Sequence, residues 1–193
     1  MSSPDSFVQN AAPWKRLILN HRITVSAVFG IAALFFVRPS LQAILCGLPL
    51  IILGEAIRLW ASGHIHKMAE VTRTGPYALC RHPLYLGHFF ITLGFLTAAG
   101  NLWLIPAGIV AFLLIFLPTM EREESFLTNQ FGNEYSRYSE TVPRFLPYRW
   151  NPEATHGTFD WQLVKRHREW NNIYGLVGGL IAFAALGVWL GTW

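Results

Sequence analysis

The sequence predicts an all-α fold, namely a multi-pass transmembrane bundle of about five helices with a short cytoplasmic helical segment. The first observation is composition: 52% of the 193 residues are hydrophobic and only 13% are charged, about half of the roughly 25% found in soluble domains. The second is that the apolar residues gather into five long segments. We therefore expect one integral membrane domain covering residues 1–193.

Each apolar segment is close to the ~20 residues that a helix needs to cross the hydrocarbon core. The segments run over residues 23–37, 41–60, 83–99, 102–119 and 173–193. Arg-Pro-Ser joins the first two segments, and Gly-Asn joins the third and fourth. Links this short predict two antiparallel helical hairpins.

The basic residues predict the orientation of the spans. With five spans, three basic clusters fall on one side of the membrane, which the positive-inside rule makes cytoplasmic. The N-terminus is then cytoplasmic, and the last span ends outside. In the alternative, the last apolar segment lies on the membrane surface or re-enters it. The clusters are Lys15, Arg16 and Arg22; Lys67, Arg73 and Arg81; and Arg122, Arg137, Arg144, Arg149, Lys165, Arg166 and Arg168.

Residues 120–172 form the one sizeable polar stretch of the sequence. Glu123 and the apolar residues that follow it at helical spacing predict that the fourth span continues as a helix into the cytoplasm. Gly132 predicts a break, and Pro143 and Pro147 predict the end of a second short helix.

Several classes of function and site find no support in the sequence. Cys46 and Cys80 belong to no CxxC pair and imply no disulfide framework. His64 and His66 lie two residues apart and do not share a helix face, and no third ligand has matching spacing, so no metal site is predicted. The basic residues flank apolar runs instead of forming a stripe, so we expect no nucleic-acid partner. Glycine-rich nucleotide-binding motifs and the GxSxG motif are absent from the sequence.

The stretch GPYALCRHPLYLG, residues 75–87, places polar groups at the start of the third span. Pro83 suits the first turn of a helix, so Arg81 and His82 lie just before that turn, where free N–H groups and the helix dipole favour an anion. Arg81 can bind a carboxylate with two parallel bonds, and His82 can donate to it or move a proton. Gly87 leaves room on the helix face. The alternative is an interfacial anchor, with Arg81 at lipid phosphates.

The second polar cluster holds Glu121, Glu123 and Glu124, at the end of the fourth span. Carboxylates this close repel one another, so they need water, a cation or a hydroxyl-rich ligand. They are predicted to face the same compartment as Arg81 and His82, where a carboxylate can accept ribose hydroxyls or pair with an ammonium group. The alternative is a solvated helix face.

Glu55 and Arg58 form a third polar feature near the cytoplasmic end of the second span. They lie three residues apart and share a helix face. Charged residues within a membrane span usually face the bundle interior or a cavity. Both a structural ion pair and the lining of a substrate cavity fit this pattern.

The polar motifs, taken in order, resemble the isoprenylcysteine carboxyl methyltransferase and phospholipid methyltransferase superfamily. The family pattern is RHPxYxG, a transmembrane hairpin, an acidic pair, and FGxxYxxY followed by a proline-bounded turn. The resemblance covers residues 75–147. The matching residues are Arg81, His82, Pro83, Tyr85, Gly87, Glu123, Glu124, Phe131, Gly132, Tyr135, Tyr138, Arg144 and Pro147.

The resemblance implies an integral membrane enzyme that uses S-adenosyl-L-methionine and methylates a lipid or prenylated small molecule entering from the bilayer. It implies catalytic roles for Arg81, His82 and Glu123 at the cytoplasmic interface. The chain departs from the prenylcysteine enzymes at residues 117–120, Leu-Pro-Thr-Met, where basic residues would be expected to hold an acceptor carboxylate. The extra span 173–193 has no assigned role. The cofactor-binding residues implied are Tyr77, Arg81, His82, Pro83, Tyr85, Gly87, Glu123, Glu124 and Tyr135.

Two other functions stay open from the sequence. One is a membrane reductase of the sterol-reductase type, which would bind NADPH at a similar place. The other is a membrane scaffold without activity, whose RHP stretch only anchors lipid headgroups. The identity of the accepting atom and the choice between monomer and homodimer stay open too, although the last segment carries GxxxG spacings that favour close helix packing.

Overall fold

The computed structural model describes residues 11–65 and 70–192, and seven α-helices contain most of these residues. Short 3₁₀ turns occupy Gly75–Ala78 and Pro152–Thr155. Residues His66 and Lys67, which entered the metal and orientation predictions, lie outside the described part, as does Trp193. The helices are α1 (Pro13–Leu34), α2 (Leu41–Ser62), α3 (Pro83–Ala98), α4 (Leu104–Phe131), α5 (Asn133–Thr141), α6 (Trp161–Arg166) and α7 (Glu169–Trp189).

The predicted multi-pass helical bundle is confirmed. Helices α1, α2, α4 and α7 are each long and apolar enough to cross a membrane. The predicted third span is α3, which has only 16 residues and is therefore about 24 Å long, somewhat less than the ~30 Å hydrocarbon core.

Helix α1 begins ten residues before the predicted start of the first span. Pro13 stands in its first turn, and the backbone leaves helical geometry at His21, with φ −124° and ψ 24°. The prediction counted only apolar residues, whereas Lys15 and Arg16 are good helix formers and extend the helix into its polar flank.

Helices α2 and α3 approach closely, and glycines make the approach possible. A Cβ atom at Gly87 would lie 2.5 Å from the carbonyl oxygen of Gly54, and a Cβ at Gly54 would meet the carbonyl oxygen of Gly87 at the same distance. Small residues at such a crossing let two helix backbones touch.

Helix α7 packs against both hairpins. Ion pairs and hydrogen bonds join its first turns to α2. Further along α7, Gly179 packs against the Phe95 ring of α3. A Cβ atom at Gly179 would lie 3.0 Å from that ring. One of the GxxxG glycines thus serves packing within the monomer.

One end of the bundle brings together the two hairpin turns and the end of α7. The Arg38 N–H donates to the Ala99 carbonyl at 2.7 Å, the Asn101 side chain donates to the Phe36 carbonyl at 3.0 Å, and the Thr192 hydroxyl donates to the Pro39 carbonyl. The polar stretch between α4 and α7 therefore lies at the opposite end. Which compartment each end faces stays a prediction.

At that opposite end α4 continues past its apolar part as predicted. It ends at Phe131 because Gly132 has φ 54°, a left-handed conformation that favours glycine. Helix α5 follows and ends at Thr141, ahead of Pro143. The predicted break and the predicted short second helix are both confirmed.

Candidate active site

The segment that leads into α3 is fixed by α5 and by Pro143, two residues after the end of that helix. Gly75 opens the 3₁₀ turn with φ 59°. The Tyr138 hydroxyl of α5 donates to the Tyr77 carbonyl at 2.7 Å, and the Arg81 N–H donates to the Pro143 carbonyl at 2.9 Å. These bonds hold Arg81 and the next residues at the start of α3.

Helix α3 begins at Pro83 with His82 as its N-cap residue. The His82 side chain makes no capping hydrogen bond to the first turn, so the amide groups of that turn remain available to a ligand. The imidazole of His82 is directed instead to α4, where its Nε2 lies 3.0 Å from Glu124 Oε1. Because a carboxylate only accepts hydrogen bonds, Nε2 carries a proton in this contact.

Glu124 is the centre of a buried ion cluster that joins α3, α4 and the loop after α5. Arg144 donates to both of its oxygens, from Nε at 3.0 Å and from Nη2 at 2.8 Å. Arg81 Nη1 lies 3.2 Å from Oε1, and the Glu124 side chain is only 12% exposed. The hydrogen bonds to Glu124 raise the pKa of the Arg144 guanidinium. Glu124 is therefore fully engaged by protein groups.

Glu123 has a different environment from its neighbour. The Tyr85 hydroxyl donates to its Oε1 at 2.5 Å, and His82 Nδ1 lies 3.7 Å from its Oε2. Its side chain is 49% exposed. Adjacent residues on a helix are about 100° apart, which is why one carboxylate enters the protein while the other remains accessible.

A cavity of about 960 Å³ opens beside these groups. This volume lies within the range of about 300–1,000 Å³ typical of ligand sites. The walls come from α1, α2, α3, α4 and the segment before α3. The polar lining residues are Arg22, Arg58, Glu70, Thr72, Tyr77, Arg81, His82, Tyr85, His88, Thr119, Arg122 and Glu123.

Most of the residues singled out from the sequence line this cavity. They include Arg58, which was one of the two residues considered for a substrate cavity. Four others lie elsewhere: Glu55, Gly87, Glu124 and Tyr135 are not part of the cavity wall. The residues singled out from the sequence that line the cavity are Arg58, Tyr77, Arg81, His82, Pro83, Tyr85 and Glu123.

Gly87 and Tyr135 lie away from the cavity for physical reasons. Gly87 faces α2, where a Cβ would stand 2.6 Å from Cγ of Arg58, so its missing side chain serves helix packing. Tyr135 packs against Tyr138 and Val142, and burial raises the pKa of its hydroxyl to about 12. The sequence indicated that Gly87 and Tyr135 are candidate site residues, but it did not show which neighbour each one faces.

Glu55 and Arg58 belong to an ion cluster that ties α2 to α7. Arg58 Nη2 donates to Glu169 Oε2 at 2.8 Å, while its Nε is 3.9 Å from Glu55 Oε2. Asn172 donates to the same Glu55 oxygen. Glu55 thus belongs to a structural ion cluster, and Arg58 belongs to the same cluster while also lining the cavity. That the cavity takes a substrate stays a prediction.

Sequence reasoning missed Arg22 and His88 as members of the cavity wall. His88 lies one turn beyond Tyr85 and packs on the Phe116 ring, with centroids 5.2 Å apart. An ionisable residue inside an apolar run is a signal that could have found it. Arg22 gave a weaker signal, since it belonged to a basic cluster that also explains membrane orientation.

No group of three or more His, Cys, Asp or Glu side chains among the described residues could hold a metal ion. His64 is buried, and its Nδ1 lies 2.9 Å from the Trp60 carbonyl oxygen, so the imidazole is engaged by the backbone.

Comparison with known proteins relates this chain to methyltransferases. The model of the phospholipid methyltransferase family matches residues 53–134. Protein-S-isoprenylcysteine O-methyltransferase of Tribolium castaneum is 31% identical over 167 residues, 76% of this chain and 56% of that protein. The Rattus norvegicus protein of the same name is 31% identical over 158 residues, 68% of this chain and 54% of the relative.

A bacterial relative has a different name. The nickel-cobalt-cadmium resistance protein NccN of Alcaligenes xylosoxydans xylosoxydans is 36% identical over 94 residues, 47% of this chain and 43% of that protein. The chain thus spans about half the length of the curated relatives that it matches. The region matched by the family model contains α3, the cavity-lining part of α4, and Glu123 and Glu124. These matches confirm the predicted resemblance to the phospholipid methyltransferase and isoprenylcysteine carboxyl methyltransferase superfamily.

Proposed function

We propose that this chain is an integral membrane methyltransferase that moves a methyl group from S-adenosyl-L-methionine to a lipid-like or prenylated acceptor. The observation that carries the proposal is the cavity at the junction of α3 and α4, where Arg81, His82 and Glu123 meet. The match to the phospholipid methyltransferase family model and the protein-S-isoprenylcysteine O-methyltransferase relatives support the same reaction.

The cavity fits a zwitterionic methyl donor. It presents cationic groups and the accessible carboxylate of Glu123, and the donor carries a carboxylate, an ammonium and a sulfonium. The buried Tyr77 hydroxyl on its wall has no hydrogen-bond partner among the described residues, and burial holds the pKa of this phenol well above its usual value. The hydroxyl therefore stays protonated and can donate to a ligand.

Each polar group has a role in this proposal. Arg81, His82 and the free amides of the first turn of α3 bind the carboxylate of the methyl donor. Glu123 accepts from its ammonium group or its ribose hydroxyls. The rings of Tyr77 and Tyr85 lie on the same wall, where an aromatic face attracts a sulfonium.

Glu124 acts as a positioning residue in this scheme. It holds Arg81 and His82 through contacts of 3.2 and 3.0 Å, so the two side chains are oriented before a ligand arrives. Preorganised charges of this kind cost no rearrangement during the reaction.

The methyl donor supplies an electrophilic methyl group on a sulfonium. The protein must align the accepting atom with that methyl and keep water away. A carboxylate acceptor needs no base. An amine acceptor must lose a proton, and the exposed Glu123 carboxylate, next to His82, is placed to take it.

The acceptor is expected to enter from the bilayer. Apolar side chains of α3 and α4, among them Leu84, Phe116 and Phe126, share the cavity wall with the polar groups, so a ligand with an apolar chain and a polar head fits both surfaces. We place this end of the bundle on the cytoplasmic side, as the basic residues predict.

Titration of the purified full chain with S-adenosyl-L-methionine tests the proposal. We expect Glu123→Gln and Arg81→Ala each to weaken binding about tenfold or more while the protein stays in the membrane, because each removes a charge-assisted contact. Glu140→Gln, an exposed change on α5, is the matched control. If both variants bind as tightly as wild type, the site is wrong. Binding of NADPH in place of the methyl donor would identify a reductase.

A second measurement addresses turnover. Membranes containing the chain are supplied with methyl-labelled donor and lipid extract, and labelled lipid is counted. Label that enters the lipid fraction with wild type and not with Glu123→Gln is the expected result. Binding without any transfer to lipid or prenylated acceptors would limit the protein to a binding role.

A further inference from the structure

One ionisable residue of the cavity wall has no role in the proposed function. His88 lies on α3 six residues after His82, which places it about 9 Å further along the helix axis. It lines the cavity and is half-buried. Ionisable residues inside a membrane span usually face a cavity and take part in function. His88 is therefore a candidate for direct contact with a ligand.

Aromatic rings hold the His88 imidazole in place without engaging its nitrogens. Its ring centroid lies 5.2 Å from that of Phe116 and 6.0 Å from that of Phe112. Among the described residues, none forms a hydrogen bond or an ion pair with this imidazole. His64 and His82, by contrast, each have a polar partner. A ligand in the cavity can supply the partner that the His88 ring lacks.

The charges around His88 favour an uncharged ligand group. Arg58 lines the cavity and interacts electrostatically with His88. Its guanidinium is 2.8 Å from Glu169 and 3.9 Å from Glu55, and neither carboxylate lines the cavity. An ammonium group beside His88 would be repelled by this guanidinium, and a carboxylate would compete with the two carboxylates that already neutralise it. A neutral polar head meets neither obstacle.

The part of the cavity at the start of α3 carries both signs of charge instead. Glu123 Oε2 lies 3.7 Å from His82 Nδ1, and the Tyr85 hydroxyl forms hydrogen bonds with Glu123 and Arg22. Mixed charges suit the zwitterionic methyl donor, which the proposed function places there, and they leave His88 for the acceptor. Besides Arg58, the charged residues of the wall are Arg22, Glu70, Arg81, Arg122 and Glu123.

The proposed position of the donor brings its methyl group towards His88. The carboxylate of the donor lies at Arg81 and His82 in the proposed function, and its sulfonium is a few bonds away. The methyl group is then within about one or two helical turns of His82, the range in which His88 lies. Leu84 and Phe116 add apolar surface to the same wall, which suits the chain of an acceptor.

We propose that His88 binds the head group of an uncharged methyl acceptor, namely a hydroxyl on an apolar chain, and takes its proton. The proposal rests on the proposed function and names the acceptor class. A neutral imidazole has one ring nitrogen free to accept a proton. As the oxygen–methyl bond forms, the sulfur–methyl bond breaks and leaves its electron pair on sulfur. The hydroxyl proton passes to the free nitrogen of His88 and from there to water.

Probes that differ in their head group test this assignment in the full chain. Farnesol, its methyl ether, farnesoic acid and farnesylamine share one apolar chain, and the corresponding hexadecyl compounds supply another. Dissociation constants are measured with S-adenosyl-L-homocysteine present, and that of S-adenosyl-L-methionine is measured separately. His88→Phe and His88→Leu remove the ring nitrogens, whereas His88→Gln keeps hydrogen-bonding groups without a basic nitrogen. His156→Phe, at an exposed position outside the cavity wall, is the matched control.

We expect wild type to bind the alcohol of at least one chain about tenfold more tightly than the ether, acid or amine, because the ether cannot donate to the ring nitrogen. His88→Phe and His88→Leu should abolish the preference for alcohol over ether, while His88→Gln and His156→Phe keep it. All variants should bind S-adenosyl-L-methionine as wild type does. With methyl-labelled donor, wild type should form the labelled ether, and His88→Gln should lose this turnover about tenfold despite binding the alcohol.

The assignment is overturned if wild type binds the donor but none of the probes, if it prefers the ether, acid or amine, or if it does not distinguish alcohol from ether. Survival of the preference in a folded His88→Phe or His88→Leu chain overturns it as well, and a Tm measurement shows which of the two is folded. Weaker donor binding in a folded variant would assign His88 to the donor instead. The proposed function survives each of these results, but it fails, and the acceptor class with it, if wild type does not bind S-adenosyl-L-methionine.

Discussion

Replacing Glu124 by Gln separates the structural carboxylate from the accessible one. The change keeps the side-chain volume but removes the negative charge that contacts Arg81, His82 and Arg144. Removing one partner of a buried ion pair typically costs about 3–5 kcal/mol. Gln keeps one acceptor oxygen, and the Arg144 side chain is 40% exposed, so water offsets part of the loss. We expect a loss of about 2–3 kcal/mol.

Thermal unfolding of the detergent-solubilised chain, followed by circular dichroism, measures this loss. For a protein of this size 1 kcal/mol corresponds to about 2–4 °C, so the Tm should fall by about 4–12 °C. Glu123→Gln is the matched control, because its side chain is 49% exposed and surface changes stay within about 0.5 kcal/mol. The reasoning is refuted if Glu124→Gln unfolds at the wild-type temperature, or if Glu123→Gln lowers the Tm as much.

Three further predictions follow from packing and burial. Gly87→Ala should destabilise the chain by about 2 kcal/mol or more, because the new Cβ would lie 2.5 Å from a carbonyl oxygen of α2 and overpack the helix crossing. Gly30→Ala is the control and should not destabilise the chain, because no described atom lies within 4 Å of its Cβ position. Equal Tm values for the two variants would contradict this prediction. A double-mutant cycle of Arg58→Gln and Glu169→Gln should give a coupling of about 1–3 kcal/mol, and additive losses would argue against the ion pair. Burial raises the pKa of the Cys80 thiol to about 12, against about 8.5 for a free thiol, and the thiolate is the reactive form. With Cys46 replaced by serine, a water-soluble maleimide at about pH 8 should therefore label the folded chain far more slowly than the chain unfolded in denaturant. Mass spectrometry would detect the labelling that contradicts this.

The helical architecture could be predicted from the sequence because apolar length and turn residues are local signals. Residues 41–60 predicted α2, which ends only two residues later at Ser62. The start of α1 was predicted ten residues late, because hydropathy does not register helical residues that are charged. Gly132 correctly predicted the end of α4, because a positive φ is favoured by the glycine residue itself and needs no information about tertiary contacts.

The site could be predicted only in part, because motifs name residues without stating which neighbours they face. Glu123 and Glu124 were indistinguishable as an acidic pair, and only tertiary structure shows that the second one meets Arg144. Arg22 reaches the cavity through the packing of α1 against α4, which no short motif encodes. Gly87 faces a neighbouring helix because of a crossing that involves Gly54, more than thirty residues earlier in the chain.

The ion pair between α2 and α7 sets a constraint on biogenesis. Arg58 and Glu169 are 111 residues apart, so at ~5–20 residues per second the ribosome delivers the second partner roughly 5–20 s after the first. During that interval Glu55 and Arg58 lack the contacts that Asn172 and Glu169 later supply, and a charged residue within a membrane span is costly, by about 2.5–3.5 kcal/mol at the helix centre. Chains halted before α7 should therefore be cleared rapidly by membrane quality control, whereas replacing both early charges with leucine should prolong the half-life of such chains in a pulse-chase experiment. Equal half-lives of the halted chains with and without the two charges would show that α2 is stable in the membrane before α7 is made. A longer half-life without the charges would show that the earlier helices need α7 in order to remain in the bilayer.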